Sequence, residues 1–246
     1  MLKGKNAIVT GAGRGIGRAT VECFAQNGAN IWACARIPDA EFEKDMGKLA
    51  EKYNVTIWPV YFDVGKVEEI KIAVQEIKRR NISVDILVNI AGIVEKSTAF
   101  SMTSLDKMKR VFDINFFGLT LLTQYISRIM MRKRNGSIIQ ISSVAGLDGA
   151  PAQYEYASSK AAVIGGVKQL ARELGDYNIR VNAVAPGIVD TGMGAQIEEK
   201  LLKRTLSSTI MKRMAKPEEI ANVIAFLASD LSSYVTAQVI RVDGGI

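Results

Sequence analysis

Short runs rich in isoleucine and valine alternate with longer amphipathic stretches from Asn6 to Val242, and no other feature of the chain limits its fold as much. The runs are Asn6–Val9, Asn30–Ala35, Thr56–Tyr61, Ile86–Asn89, Ser137–Ser142, Arg180–Ala185 and Val239–Val242. Apolar runs this short suit strands buried on both faces, as in a parallel sheet. The stretches between them predict helices over Gly15–Asn27, Glu41–Tyr53, Val67–Arg80, Ser104–Lys133, Tyr154–Asp176 and Pro217–Ala228. Pro217, followed by two glutamates, is a helix start, because proline needs no amide partner there and the carboxylates favour the positive end of the dipole. Such alternation implies right-handed crossovers with helices on both faces of one doubly wound, seven-stranded parallel sheet. Residues 1–246 therefore read as a single domain. The stretch 188–214 fits the alternation least, as a substrate-covering excursion or an irregular connection.

Composition removes several kinds of chemistry. The chain has no histidine, which excludes Ser-His-Asp hydrolysis, histidine general bases and histidine-containing zinc sites; no metal is expected. Cys23 and Cys34, in a predicted helix and a predicted strand, read as small buried hydrophobes in a reducing compartment. The formal charge of +7 is spread along the chain and is densest at Arg132-Lys133-Arg134. That run reads as a solvated helix end offsetting the dipole, with an acidic partner protein as the alternative. Nucleic acid is not expected, since no basic-aromatic interleaving accompanies the charge. No apolar stretch reaches about 18 residues and no leader pattern opens the chain, so the expectation is a cytoplasmic protein with no membrane role.

The first run leads into Thr10-Gly11-Ala12-Gly13-Arg14-Gly15-Ile16-Gly17 and then a helix. Glycines here let the backbone turn tightly and approach a pyrophosphate, which the helix N-terminus stabilises; between strand and helix, this marks a Rossmann-type nucleotide site. The second run ends Cys34-Ala35-Arg36, with no acid for a ribose 2′-hydroxyl. A carboxylate repels a 2′-phosphate, whereas a guanidinium grips it with two hydrogen bonds. Arg36, with Arg14 in the glycine loop, therefore points to NADP(H).

Tyr156-Ala157-Ser158-Ser159-Lys160 supplies a proton donor and a cation on one helix face. Tyrosine titrates near ~10, and a neighbouring ammonium stabilises its phenolate. Among the seven tyrosines only Tyr156 has a lysine four residues on. It follows a run ending Ser142-Ser143, and strand C-termini are where open α/β sheets bind ligands.

The spacing Gly-x-x-x-Gly-x-Gly resembles that of the short-chain dehydrogenase/reductase family. Asn89-Ile90-Ala91-Gly92 is similar to the family's Asn-Asn-Ala-Gly, with Ile90 departing from it, and Pro186-Gly187 and Val242-Asp243-Gly244-Gly245 also match. Ala237 stands where many members carry glycine. The resemblance implies that Ser143 orients the substrate carbonyl, that Tyr156 protonates it, that Lys160 lowers the tyrosine pKa and holds the nicotinamide ribose, and that Asn115 positions a relay water. It implies that Asp63 beside Val64 meets the adenine and that Thr191 and the backbone near Ile188 meet the carboxamide. It also implies a homotetramer, in which Phe116, Phe117, Leu121 and Leu122 either serve an interface or pack on their own sheet.

Overall the sequence is most similar to β-ketoacyl-[acyl-carrier-protein] reductases. Arg128 matches a residue by which they dock acyl carrier protein, while Tyr177 replaces a second arginine and Ile93-Val94-Glu95-Lys96 replaces their usual loop. The alternatives are a relative acting on another ketone or secondary alcohol, and an NADP(H)-binding sensor or scaffold.

Overall fold

The computed structural model describes residues 1–192 and 199–246. Seven strands, β1 (Asn6–Thr10), β2 (Asn30–Ala35), β3 (Ile57–Tyr61), β4 (Ile86–Asn89), β5 (Gly136–Ile141), β6 (Ile179–Pro186) and β7 (Val239–Val242), form one parallel sheet in the order β3-β2-β1-β4-β5-β6-β7. Successive strand residues face opposite sides, and both sides are covered. Ala7, Val9, Ile31 and Ala33 pack against Phe24 of α1 (Gly15–Gln26), Phe42 and Met46 of α2 (Ala40–Tyr53), and Ile220 and Ile224 of α9 (Pro217–Ala228). Ile8, Trp32 and Leu87 meet Ile70 and Ile77 of α3 (Val67–Arg79), Leu122 and Ile126 of α5 (Gly118–Lys133), and Val163 and Val167 of α7 (Tyr154–Leu174). Each fully buried side chain of this size contributes about 1.5–3 kcal/mol. The expected doubly wound sheet is what the chain forms.

The helix predicted over Ser104–Lys133 is two helices. α4 (Leu105–Phe112), capped by the Ser104 hydroxyl on the Lys107 amide at 3.2 Å, gives way to a π-helical turn at Asp113–Phe117 before α5 begins. Sequence periodicity does not register one wider turn inside a continuous apolar pattern. Leu122 is wholly buried on the chain's own sheet, whereas Phe117 is exposed. A short helix α6 (Ala145–Asp148) follows β5 and was not expected.

The stretch 188–214 leaves and returns at one place, because Val189 bridges Ala215. The Ala215 amide donates to Ile188 O and the Asp190 amide to Ala215 O, both at 2.9 Å. It carries α8 (Glu199–Ser208), while positions 193–198 of the expected excursion lie outside the described residues. Ala237 adopts φ +60°, a left-handed conformation that costs an alanine energy and a glycine little, which explains why glycine suits this position. Among the described residues no helix is long and apolar enough to cross a membrane.

Gly118 is where α5 meets the loop after β3: a Cβ there would lie 1.7 Å from the Val64 carbonyl oxygen. Backbone cannot yield as a side chain can, so Gly118→Ala is expected to destabilise the fold by about 3 kcal/mol, read by urea denaturation. An unchanged midpoint would show that this contact relaxes freely.

Candidate active site

β1 and β4 are neighbours, yet the chain runs outward from β1 to β3 on one side and from β4 to β7 on the other. The loops after these two strands thus diverge and leave a crevice at the sheet's C-terminal edge, where such folds bind ligands. The Thr10 hydroxyl holds the crevice floor. It accepts from the amides of Ile90 at 2.9 Å and Ala91 at 3.1 Å and donates to Val88 O at 3.4 Å. Sequence reading passed over Thr10 as a motif neighbour, because its partners lie about eighty residues away.

The glycine loop is built for close approach. Gly11, at φ +69°, leaves only 3.0 Å between a would-be Cβ and the Ala91 nitrogen, and a Cβ on Gly17 would stand 2.0 Å from Gly11 O. Gly13, by contrast, has nothing within 4 Å of a would-be Cβ among the described residues. Arg14 is the N-cap of α1 in extended conformation, and its side chain makes no cap bond, so it does not block the helix's first amides. Ile16 and Gly17 form the first turn, and Thr191 lies over the loop, its Cγ2 3.0 Å from a would-be Cβ on Gly15. An open glycine cradle at a free helix N-terminus fits a pyrophosphate.

The loop is tied to β2 by the Ala12 amide on Cys34 O at 2.9 Å, and β2 to β3 by the Phe62 amide on Ala35 O at 3.0 Å. Arg36, exposed, therefore stands beside the segment carrying Asp63 and Val64. Asp63 Oδ1 accepts from the Gly65 amide at 2.8 Å, shaping that turn. Asn89 points inward and donates to Thr123 at 2.8 Å, a strut between β4 and α5, and Ile90 packs into the core on the α1 side. On the far side of the crevice a Cβ on Gly187 would lie 2.9 Å from the Asp243 Cα, so Pro186-Gly187 runs against the C-terminal segment, and Ile188 opens the excursion.

Ser143, Tyr156, Lys160 and Asn115 come together at this edge. Lys160 is 4% exposed; its ammonium donates to Ile141 O at 2.8 Å and stands 5.9 Å from the centre of the Tyr156 ring. A Cβ on Gly92 would meet Asn115 Oδ1 at 3.1 Å and Lys160 Nζ at 3.5 Å, which places the loop after β4 against both. Asn115, in the π-turn and wholly buried, is fully engaged. Its Oδ1 accepts from the Ile93 amide at 2.8 Å, and its Nδ2 donates to Ile93 O at 2.9 Å and to Ser159 Oγ at 3.1 Å. Ser159, which sequence reading left as a spacer, is thus its anchor on α7. Among the described residues no cluster of acids and cysteines could hold a metal ion.

Burial disfavours charge, so it moves the two titrating groups in opposite directions. It raises the Tyr156 phenol, against a downward pull from the neighbouring Ser143 hydroxyl, and lowers Lys160 from 10.5 to about 8. Desolvation is the larger influence on Tyr156, so the direction is upward and the phenol holds its proton.

A family model described as Enoyl-(Acyl carrier protein) reductase matches residues 11–246. The chain belongs to the short-chain dehydrogenase/reductase family. It is an oxidoreductase acting on CH–OH and C=O groups. It is 43% identical over 245 residues to the 3-oxoacyl-[acyl-carrier-protein] reductase of Thermotoga maritima, covering 100% of this chain and 98% of that one. It is 39% identical over 247 residues to a 3alpha-hydroxysteroid dehydrogenase of Mediterraneibacter gnavus, covering 99% and 97%. A crystal structure of a Brucella melitensis 3-oxoacyl-[acyl-carrier protein] reductase with bound NAD superposes with a TM-score of 0.87 at 34% identity, over 99% of this chain and 91% of that one.

Lys160 carries a testable linkage. The folded form releases its proton near pH 8 and the unfolded form near 10.5, so between these values the unfolded chain binds more protons and stability rises with pH. The cost of burying the charge, on the order of 3 kcal/mol, is present below pH 8 and relieved above it. Urea unfolding of wild type and Lys160→Met from pH 7 to 10.5 should show wild type gaining on the variant as pH climbs. A constant difference would mean that Lys160 keeps its ordinary pKa.

Proposed function

We propose that the chain is an NADP(H)-dependent 3-oxoacyl-[acyl-carrier-protein] reductase working in the cytoplasm. The observation that carries this reading is the convergence of Tyr156, Ser143 and Lys160 at the crevice edge beside an open glycine cradle. Gly11, Gly13, Arg14, Gly15, Ile16 and Gly17 hold the pyrophosphate, and Arg14 and Arg36 the 2′-phosphate. Asp63 and Val64 take the adenine side. Asn89, Ala91 and Gly92 line the floor, and Pro186, Gly187, Ile188 and Thr191 the carboxamide side. When bound, the dihydronicotinamide supplies the hydride.

The chain's own residues handle the proton. Ser143 holds the substrate carbonyl oxygen and Tyr156 gives that oxygen its hydroxyl proton as negative charge develops there. The Lys160 ammonium then stabilises the phenolate left behind, and Asn115, fixed in the π-turn, orders the path by which the tyrosine is reprotonated. On the exposed face of α5, Arg128 and Arg132 lie one turn apart, a basic patch suited to an acidic acyl carrier protein. Exposed Phe117, in the π-turn ahead of α5, is available to a homotetramer contact.

A second reading, another ketone or secondary alcohol as substrate, is favoured by Tyr177 in place of a carrier-docking arginine and by the similarity to a hydroxysteroid dehydrogenase. Oxidation of NADPH and NADH with an acetoacetyl thioester distinguishes the two. Thioester turnover is expected, with Tyr156→Phe lowering kcat by about 10²–10⁴-fold. Arg36→Ala should raise the KM for NADPH by roughly 10–100-fold and leave that for NADH alone. Binding of NADPH without thioester turnover would move the assignment to the second reading, and full activity of Tyr156→Phe would remove the proton donor.

A further inference from the structure

Two side chains bridge the loop after β4 to the first turns of α7, and they do so on either side of Tyr156. One is Asn115, joining Ile93 to Ser159. The other is Lys107 of α4, which nothing in the proposed chemistry requires. Its ammonium donates to Lys96 O at 2.7 Å and Thr98 Oγ1 at 3.0 Å and pairs with Glu155 Oε1 at 2.8 Å. All three of its protons are thus placed. The Lys107 and Glu155 side chains are 14% and 2% exposed, and the second carboxylate oxygen of Glu155 is buried with no partner among the described residues.

Burying an ion pair with one oxygen unmet is costly, and an apolar pair of similar volume is often as stable or more so. Stability alone is therefore a poor account of it. Its place is informative. Glu155 immediately precedes Tyr156, and Ser159 immediately precedes Lys160. The same loop is sewn to the same helix start twice more: the Thr98 amide donates to Ala152 O at 2.8 Å, and the Phe100 and Tyr154 rings stand 4.7 Å apart. Ala152 sits at φ +59°, a strained conformation for alanine that these contacts hold in place. Phe100, Ala152 and Tyr154 also line a cleft of about 450 Å³ whose other side is Ala145, Gly146, Gly149 and Ala150.

We infer that Lys107 and Glu155 are positioning residues, an ion-pair latch that locks residues 96–98 to the first turn of α7 and so sets the placement of Tyr156. The inference rests on Tyr156 being the proton donor. Placement matters because a misplacement of about 1 Å in a reacting group can cost 10²-fold in rate.

The test uses the full chain in three forms besides wild type: Glu155→Gln, which keeps an acceptor for the ammonium; Lys107→Met with Glu155→Leu, which replaces the pair by apolar volume; and Tyr156→Phe. Thermal midpoint, NADPH Kd, and kcat and KM with an acetoacetyl thioester are read for each. The latch predicts that the apolar double variant keeps the wild-type midpoint and an NADPH Kd within twofold. Its kcat should nevertheless fall at least tenfold, while Glu155→Gln stays within threefold of wild type. Should the double variant fold poorly, Lys107→Met with Glu155→Gln, which also breaks the pair and leaves no charge buried alone, gives the same reading through kcat. Either double variant, folded and with wild-type kcat, overturns the latch alone, provided Tyr156→Phe is inactive. An active Tyr156→Phe overturns the proton-donor reading and takes the latch with it.

Discussion

The structure depends on one close approach, that of the loops leaving β1 and β4. The Thr10 hydroxyl binds two amides of the β4 loop, and Gly11 brings its backbone within a Cβ's reach of Ala91. Sheet order makes the two strands neighbours, but the crevice between their loops exists because nothing larger than glycine occupies position 11. The cradle, the floor of the crevice and the loop that carries Gly92 to Lys160 all follow from that approach. The diverging crossovers determine that the opening lies at the carboxyl ends of the strands.

Catalytic competence draws on burial in two opposing ways. Removing Lys160 from water lowers its pKa to about 8, which weakens its hold on a proton near neutrality. The same removal keeps Tyr156 protonated, which suits the donor role proposed for it. The ammonium's bond to Ile141 O anchors it from the sheet side, leaving its influence on the tyrosine to act across the ring. A charged group kept in a dry site costs stability, and functional sites commonly carry such costs.

The rigidity of the region comes from polar groups spread over three elements. The π-turn turns Asn115 into the interior, where its amide mimics a strand partner for Ile93 and also reaches α7. Lys107, two residues inside α4, does the corresponding work nearer the helix start. A loop with few apolar contacts is thereby held by directional bonds, which specify position more sharply than hydrophobic contact does.

The sequence by itself determined the sheet, its seven strands and both faces of helices, because hydrophobic period is a local property and burial on two faces leaves a plain signature. It likewise exposed the glycine loop, the missing acid before Arg36, and the Tyr156–Lys160 pair, since a turn, a strand end and an i, i+4 spacing are all read within a few residues. Tertiary structure alone decided the rest. That Thr10 serves a loop eighty residues on, that Lys107 meets Glu155 forty-eight residues away, and that the helix through Asn115 widens by one turn are consequences of packing between distant segments. The direction in which Tyr156 titrates belongs with these, because desolvation is set by what surrounds a side chain in space and leaves no mark on the residues beside it in sequence.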